Sequence, residues 1–187
     1  RGEPHPIDLY TLLLMAAFGG VTLSASIHFA SFFLGLEVLS VALYVLIAYP
    51  RIQDTAVEAG VKYLILAAAT AATLLFGMAL VYAAAGSMDL RTLGGLATRS
   101  GAGGEIMFAA GIALMLVGIG YKLALVPFHM WTPDIYQGAP APVTAFVSTV
   151  SKAAVAALLL RLVVGGQTLP AVVTTLIAVL AFASMIV

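Results

Sequence analysis

Three lysines and one glutamate lie inside, or at the edge of, long apolar stretches of this sequence. Lys62, Lys122 and Lys152 are all the lysines in the chain, whereas the polar connecting stretches carry arginine instead. An ionised side chain at the centre of a bilayer costs about 2.5–3.5 kcal/mol on insertion scales unless it is paired or hydrated. A chemical function is therefore the first explanation for these lysines and for Glu37.

These residue types favour a proton path over a metal site. An ammonium group presents only hydrogen-bond donors and repels cations, whereas desolvation lowers the pKa of a lysine from about 10.4 toward about 7. A proton path also needs water or hydroxyl groups between the groups that change charge. The candidate hydroxyls belong to Ser40, Tyr121, Thr144, Ser148 and Ser151. We therefore interpret the glutamate and the lysines as a proton relay.

Glu37 and Lys152 are expected near the middle of the membrane. Glu37 lies about nine residues into its apolar stretch, and Lys152 lies about ten residues after Pro142, the expected first-turn proline of its helix. The alternative for Glu37 is a helix-packing residue held by Ser40, or a carboxyl that stays neutral. The alternative for Lys152 is a snorkelling lysine, although its stem spans only about 6 Å and the position is about 15 Å deep.

Lys122 and Lys62 lie nearer to the ends of their stretches. Lys122 comes five residues before Pro127, which has no N–H to donate to the Leu123 carbonyl and is expected to open the helix beside the lysine. The alternative for Lys122 is a position among the headgroups at its helix end. Lys62 follows Glu58 by four residues, so an interfacial ion pair within one helix is the alternative to a role in the relay.

Two histidines and an aspartate are further candidates. His28 and His129 border apolar stretches, where they either relay protons near neutral pH or lie at the interface as amphipathic rings. Asp134 follows Pro133, and it either caps a short helix or gates access to the relay. For each of the three, the sequence leaves both alternatives open.

The elements that must position these residues are transmembrane helices. Hydrophobic residues make up 63% of the 187 residues and charged residues only 9%, far from the composition of a soluble domain. A helix needs about 20 mostly apolar residues to cross about 30 Å of hydrocarbon. The chain has about six such stretches, near residues 7–25, 28–49, 56–85, 106–128, 143–164 and 171–187. We expect an all-α, polytopic transmembrane bundle whose third helix, at about 30 residues, must tilt or protrude.

The segment 127–142 is unusual for a connection between two spans. Its four prolines forbid a continuous helix, yet Trp131, Ile135 and Tyr136 make it too apolar for a free aqueous loop. Broken backbone is tolerated at membrane depth only where protein buries it or where it lines a wet cavity. The alternative is an interfacial loop that Trp131 and Tyr136 anchor in the headgroups.

Composition limits the classes of chemistry that the chain can perform. Eight basic and eight acidic residues cancel, so no net charge steers nucleic acid to the chain. The absence of cysteine excludes disulfides, thiolate metal sites and iron–sulfur ligation, and three scattered histidines lack haem or zinc spacing. We expect no cofactor and no metal in this chain.

The chain begins at Arg1 without a signal peptide and stops within an apolar run, so we expect an internal fragment.

Four motifs, in this order, resemble the subunit N family of respiratory complex I. They are LGLEVLSVALYVL around Glu37, EAGVKYLILAA around Lys62, GIGYKLALVPFHMWTPDIYQGAPAPVTAF around Lys122 and STVSKAAVAALLLRL around Lys152. The corresponding subunit of the photosynthetic relative is equally similar. The resemblance covers nearly the whole chain, and PFHMWTPDIYQGAP favours this family over its sister antiporter-like subunits.

The resemblance implies roughly helices 4–9 of a fourteen-helix antiporter-like subunit, with a broken seventh helix. Within a single membrane domain over 1–187, residues 7–164 then resemble the first of two inverted five-helix repeats, and residues 171–187 the start of the next. The fifth to eighth helices of the family carry the residues that match Glu37, Lys62, Lys122 and Lys152, in that order. All four matching residue types are present here.

The resemblance also implies a setting. The whole complex would be a proton-translocating NADH-quinone oxidoreductase that uses NAD, FMN, iron–sulfur clusters and quinone, with no redox centre in this chain. The expected partners are the antiporter-like and quinone-proximal membrane subunits and the lipid bilayer, without nucleic acid. The implied location is the bacterial inner (plasma) membrane, with the thylakoid and the mitochondrial inner membrane as alternatives.

Our hypothesis from the sequence is a half-channel driven by electrostatic coupling. Glu37 would hold Lys62 or Lys122 in the charged state, and weakening of that pair would drive its proton toward Lys152. Two rival hypotheses are a sodium/proton antiporter subunit of the same superfamily and a structural membrane subunit whose charges only fix helix register.

Overall fold

The computed structural model describes residues 6–50, 53–91, 101–164 and 171–186. The regular elements in these ranges are helices: α1 (Pro6–Ala25), α2 (Phe29–Ile47), α3 (Asp54–Ala85), α4 (Gly101–Leu123), α5 (Thr132–Gly138), α6 (Ala141–Phe146), a π-helical turn (Val147–Ser151), α7 (Lys152–Val164) and α8 (Ala171–Ile186). The prediction of an all-α bundle is confirmed.

By length and composition, five stretches can cross a membrane. They are 7–25, 29–47, 54–85, 103–123 and 141–161, the last of which runs through α6, the π-helical turn and most of α7. These stretches match the first five predicted ones, except that α4 stops at Leu123 rather than near residue 128. α8 matches the sixth prediction but has only 16 residues. The division into two inverted repeats stays a prediction.

Successive long helices run in opposite directions, which gives the bundle two ends. At one end, Arg161 near the end of α7 donates from Nη1 to the carbonyl of Ser24 in α1 at 2.8 Å. At the same end, the Phe29 amide donates to the carbonyl of Met88 at 2.9 Å, so the link after α3 pairs with the turn between α1 and α2. The other end holds the start of α3 and the segment 124–140, and we call it the break end.

Glycines allow neighbouring helices to pack backbone against backbone. A Cβ atom at Gly77 of α3 would lie 2.6 Å from the carbonyl oxygen of Gly111 on α4, and a Cβ atom at Gly111 would lie 2.8 Å from that of Gly77. Between α1 and α2, a Cβ atom at Gly19 would lie 2.5 Å from the Leu39 nitrogen. Such contacts between small residues are typical of transmembrane helices, and here they hold the helices that carry the lysines in register.

The backbone breaks at the C-terminus of α4. Ala124 has a φ of 57°, the left-handed conformation. Its amide donates to the Tyr121 carbonyl at 3.1 Å, and the Leu125 amide donates to the Gly120 carbonyl at 2.9 Å. These two bonds form the Schellman arrangement that ends many helices. The predicted opening beside Lys122 is therefore present, but the helix ends through this cap, before Pro127 is reached.

Beyond the break, α5 and α6 are short helices that pack on protein. Pro133 and Pro142 occupy the first turns of α5 and α6, where a missing N–H is tolerated, so the predicted position of Pro142 is confirmed. A Cβ atom at Gly138 would lie 2.7 Å from the Thr55 carbonyl oxygen, so α5 meets α3 at backbone distance. The segment is thus broken helix that protein holds at the break end.

Candidate functional site

Lys122 is enclosed by protein, and its ammonium has two hydroxyl acceptors. Only 3% of its surface is exposed. Nζ donates to Oγ of Ser40 at 2.7 Å and to Oη of Tyr63 at 2.8 Å. Ser40 donates its own proton to the Leu36 carbonyl at 2.6 Å, which leaves its lone pairs for the lysine. Because Ser40 lies seven residues before the end of α2, about 10 Å at 1.5 Å per residue, Lys122 is held inside the bundle rather than among headgroups.

Glu37 supplies a negative charge close to Lys122. It is half-buried on α2, three residues before Ser40 and therefore on the same face of the helix. Its charge acts on the ammonium of Lys122 and on the hydroxyl of Tyr63. Lys62 interacts instead with carboxylates at the break end. Of the two lysines that the sequence offered as the partner of Glu37, Lys62 pairs with Glu58 and Asp134 instead, whereas Lys122 donates to Ser40 on the Glu37 face of α2.

Four aromatic side chains fill the space next to Lys122, and we call Tyr63, Tyr121, Trp131 and Tyr136 the aromatic cluster. Trp131 is central, since its ring centroid lies 5.6 Å from that of Tyr63, 5.0 Å from Tyr121 and 6.3 Å from Tyr136. Its Nε1 donates to the Tyr121 carbonyl, next to the helix break, at 3.1 Å. Trp131 is buried, so it fixes the broken segment to α4 instead of anchoring a loop in the headgroups.

Lys152 contacts the far side of the aromatic cluster. It directly follows the π-helical turn Val147–Ser151, and turns of this kind occur often at functional sites. Its Nζ lies 5.7 Å from the ring centroid of Tyr136. On the near side of the cluster, Nζ of Lys122 lies 5.0 Å from the ring centroid of Tyr63. Both distances are typical of cation–π contacts, so the two lysines contact opposite ends of one aromatic cluster.

Lys62 lies in an open polar cleft at the break end. Its Nζ is 2.8 Å from Oε1 of Glu58, the ion pair within α3 that was the alternative to a role in the relay, and 2.9 Å from Oδ2 of Asp134 on α5. The cleft has a volume of about 410 Å³, and Thr55 and Gln137 also line it. Since the three charged side chains are about half exposed, Lys62 is placed for exchange with water and Lys122 is not.

The other predicted residues take separate places. His28 lies at the end opposite the break, where its Nδ1 caps the first turn of α2. His129 lies in the broken segment and accepts from the hydroxyl of Thr132 through its carbonyl. Among the residues that the structure describes, Nδ1 of His129 is buried without a hydrogen-bond partner. Asp134 lies in the first turn of α5 but pairs with Lys62 rather than capping that helix.

The predicted hydroxyls differ in their roles. Ser40 binds Lys122, whereas Thr144 and Ser148 donate to backbone carbonyls one helical turn away. Ser151 is buried in the π-helical turn. The Oη of Tyr121 is buried and has no partner within the described part of the chain.

Tyr63 is the site residue that the sequence reasoning missed. It follows Lys62 directly, and the two side chains point about 100° apart around the helix. In the structure Ala59, Tyr63 and Ala67 form a buried stripe, which the sequence does not mark because most residues between them are apolar too. That stripe turns Tyr63 toward Lys122 and leaves Lys62 on the exposed face of α3.

Arg91 and Asp89 form a charged pair at the end opposite the break, outside the membrane-spanning stretches. Arg91 donates to both carboxylate oxygens of Asp89, from Nη2 at 2.8 Å and from Nε at 3.1 Å. These hydrogen bonds and the positive charge of Arg91 lower the pKa of Asp89 to about 2. The pair stabilises the link after α3 where it meets the turn between α1 and α2.

The chain is similar to known membrane proteins. The family model described as NADH:quinone oxidoreductase/Mrp antiporter, TM, matches residues 26–187. A relative named NADH-quinone oxidoreductase subunit N from Nitrosospira multiformis is 58% identical over 139 residues, which cover 74% of this chain and 27% of the relative. A relative with the same name from Chromohalobacter salexigens is 49% identical over 181 residues, 96% of this chain and 37% of the relative. The chain thus spans about a third of the length of these relatives.

Solved structures agree in fold. A chain of respiratory complex I from Thermus thermophilus with bound aureothin gives a TM-score of 0.78 at 39% identity, over 96% of this chain and 38% of that one. A chain of the membrane-bound sulfane sulfur reductase, an archaeal respiratory membrane complex, gives 0.75 at 29% identity, over 94% and 34%. A chain of the Mrp complex from Dietzia sp. DQ12-45-1b gives 0.66 at 23% identity, over 79% and 28%, a likeness in fold alone.

Proposed function

This chain belongs to the NADH:quinone oxidoreductase/Mrp antiporter family of transmembrane proteins, and we propose that it carries protons across a membrane as part of a subunit of an NADH-quinone oxidoreductase. The relatives that bear the name NADH-quinone oxidoreductase subunit N support this assignment. Because the chain spans about a third of their length, the proposal concerns one section of the path, formed by Glu37, Lys122 and Lys152.

The enclosed ammonium of Lys122 is the observation that carries the proposal. An unpaired charge buried this deep costs several kcal/mol, so helix packing alone does not explain a lysine at this position. Lys122 instead donates to the oxygens of Ser40 and Tyr63, and Glu37 lies on the same face of α2 as Ser40. These contacts stabilise the protonated form without a permanent ion pair, so the proton is held but can leave.

Proton transfer follows from a change in the charge near Lys122. When the influence of Glu37 weakens, the proton of Lys122 moves toward Lys152, on the other side of the aromatic cluster. Movement of one charge against a 100 mV potential costs about 2.3 kcal/mol. A hydrogen bond to a charged group contributes about 1.5–3 kcal/mol, so the loss or gain of one such bond offsets that cost.

The cleft around Lys62 provides access from the break end. Glu58 and Asp134 hold Lys62 at the surface, next in sequence to Tyr63, which accepts from Lys122. The cleft lies one residue along α3 from Tyr63, the acceptor of the Lys122 ammonium. We therefore place Lys62 and Asp134 at the mouth of the path, with His129 in the broken segment behind it.

The redox groups of the enzyme belong in other subunits. The chain lacks the cysteine thiolates that iron–sulfur clusters require. His28 and His129 lie at opposite ends of the bundle, and the described residues contain no group of three or more His, Cys, Asp or Glu side chains that could hold a metal ion. We assign NAD, FMN, iron–sulfur and quinone chemistry to partner subunits, and we place the chain in a bacterial inner membrane beside other membrane subunits.

Sodium/proton exchange is the second candidate, because the family description includes the Mrp antiporters. The ammonium groups of Lys122 and Lys152 repel a cation, which disfavours sodium on this section of the path. Proton uptake by vesicles in the presence and absence of sodium separates the two functions. Dependence of transport on sodium would favour the antiporter.

The decisive variant is Lys122→Met in the complete enzyme complex. The variant keeps an unbranched apolar stem and removes the ammonium. We expect the complex to assemble and to lose proton pumping in sealed vesicles, while Leu160→Met, at an exposed position on α7, leaves pumping unchanged. Full pumping by an intact Lys122→Met complex would overturn the proposal, and failure of the complex to assemble would favour a structural role for the charge.

A further inference from the structure

The aromatic cluster provides a continuous series of contacts between the enclosed Lys122 and the half-buried Lys152. Lys122 contacts the ring of Tyr63, and Lys152 contacts the ring of Tyr136. Trp131 meets both tyrosines edge-on, at interplanar angles of 63° and 88°. The rings therefore join the two lysines, but carbon rings alone carry no proton.

Two hydroxyls in this cluster lack hydrogen-bond partners within the described residues. They are Oη of Tyr121 and Oη of Tyr136, and both atoms are buried. The whole side chain of Tyr121 is only 3% exposed. Buried hydroxyls in proteins are almost always hydrogen-bonded, and where protein offers no partner an ordered water commonly does so. Both hydroxyls therefore need a hydrogen-bond partner, and both lie in the aromatic cluster that joins the two lysines.

Side chains next to the two tyrosines hydrogen-bond to their backbone carbonyls. Trp131 donates to the carbonyl of Tyr121 at 3.1 Å and packs on its ring at 5.0 Å. Thr144 lies 3.4 Å from the carbonyl of Tyr136 through Oγ1, which ties the end of α5 to the start of α6. A water bound to such rigid groups would be ordered, which is what a path of defined direction requires.

We propose that Tyr121 and Tyr136 are positioning residues of the proton path: their hydroxyls bind the water that joins Lys122 to Lys152, and Nζ of Lys152 lies against the ring of Tyr136 beside that water. This inference rests on the proposed proton function. In the step, the Lys122 ammonium gives one proton to the bound water, and the neutral amine of Lys152 takes one proton from the water chain. Each phenol only donates and accepts hydrogen bonds, so it is unchanged at the end.

A density map of the unmodified complete complex at about 2 Å tests the binding of water without any substitution. At this resolution ordered waters are visible, and each should make about three hydrogen bonds. We expect water density within hydrogen-bond distance of both phenol oxygens, continuous toward both lysines. Direct bonds from both hydroxyls to other protein groups, with dry protein between the lysines, would overturn the proposal.

Phenylalanine substitutions test the function of the two hydroxyls. Tyr136→Phe and Tyr121→Phe keep the rings and their contacts, and Tyr82→Phe on the exposed side of α3 is the matched control. We expect each site variant to assemble, to pump at least about tenfold more slowly and to show a larger slowing in D₂O than the unmodified complex. Normal pumping and a normal D₂O effect in both site variants would overturn the proposal.

The same assay separates this inference from the proposed function. Lys122→Met is measured beside the tyrosine variants. If Lys122→Met abolishes pumping and both tyrosine variants pump normally, the proton function stands and the role of the tyrosines is refuted. If Lys122→Met itself pumps normally, the proton function is refuted together with the inference that rests on it.

Discussion

Removal of the hydroxyls that bind Lys122 is expected to slow proton pumping in a graded way. Ser40→Ala removes one acceptor, and Tyr63→Phe removes the other while keeping the ring that faces the ammonium. Both substitutions leave the lysine in place. They therefore test whether its hydrogen bonds, and not only its presence, control the transfer.

The magnitude follows from the enclosure of the site. A hydrogen bond to a charged group contributes about 1.5–3 kcal/mol, equivalent to about 10- to 150-fold in an equilibrium constant. Because Lys122 is 3% exposed, bulk water does not replace the lost acceptor. We expect each single variant to pump about tenfold more slowly. The double variant leaves the ammonium without a hydroxyl acceptor, so we expect a loss larger than the product of the two single losses.

The assay is proton uptake by sealed vesicles that contain the complete complex, normalised to NADH oxidation. Native electrophoresis of each variant shows whether the complex has assembled. The matched controls lie on the same helices outside the site: Ser31→Ala, whose hydroxyl donates to the His28 carbonyl, and Tyr82→Phe, whose side chain is exposed. We expect both controls to pump at the unmodified rate.

The refuting result is clear for each arm. Unmodified pumping by an assembled double variant would contradict a role for the two hydroxyls. Equal losses in the Ser31→Ala and Tyr82→Phe controls would show that any hydroxyl on these helices matters, and the specific geometry at Lys122 would then explain nothing.

Three further predictions concern packing and surface charge. Gly77→Val is expected to lower the thermal stability of the complex, because overpacking costs about 1–3 kcal/mol. Gly103→Val is the control, because a Cβ atom there meets nothing within 4 Å, and thermal unfolding compares the two variants. Asp134→Asn is expected to change the thermal stability of the complex little, because its pair with Lys62 is about half exposed and such pairs contribute about 0–1 kcal/mol to stability; thermal unfolding can check this. The pKa of Asp89 is lowered from 3.8 to about 2, so the contribution of Asp89 to stability is present above about pH 4 and is lost as the pH falls toward 2. Faster hydrogen exchange in the link after α3 at low pH would reveal this loss.

Much of the fold could be predicted from local properties of the sequence. Run lengths of apolar residues define the long helices because a helix must match the thickness of the hydrocarbon layer. Four prolines define the broken segment because each removes a backbone donor. The cost of burying charge singles out four residues that need partners, Glu37, Lys62, Lys122 and Lys152, although the structure leaves Lys62 about half exposed.

The contacts within the site depend on how distant helices meet, which a single sequence does not contain. Tyr63 and Lys122 are 59 residues apart, and nothing in either stretch alone pairs them. The cap at Ala124 was also unexpected, since glycine is the residue that favours a positive φ. The outward direction of Lys62 follows from the same buried stripe that turns Tyr63 inward, and the stripe has meaning only once its neighbour is known.

The most direct test of electrostatic coupling between Glu37 and Lys122 is proton pumping by the Glu37→Gln complex. Glutamine keeps the shape of the side chain and removes its charge. We expect an assembled complex whose pumping falls well below the unmodified rate, with partial recovery in Glu37→Asp, which restores the charge on a shorter stem. Undiminished pumping by an assembled Glu37→Gln complex would contradict the coupling on which the proposed transfer from Lys122 to Lys152 depends.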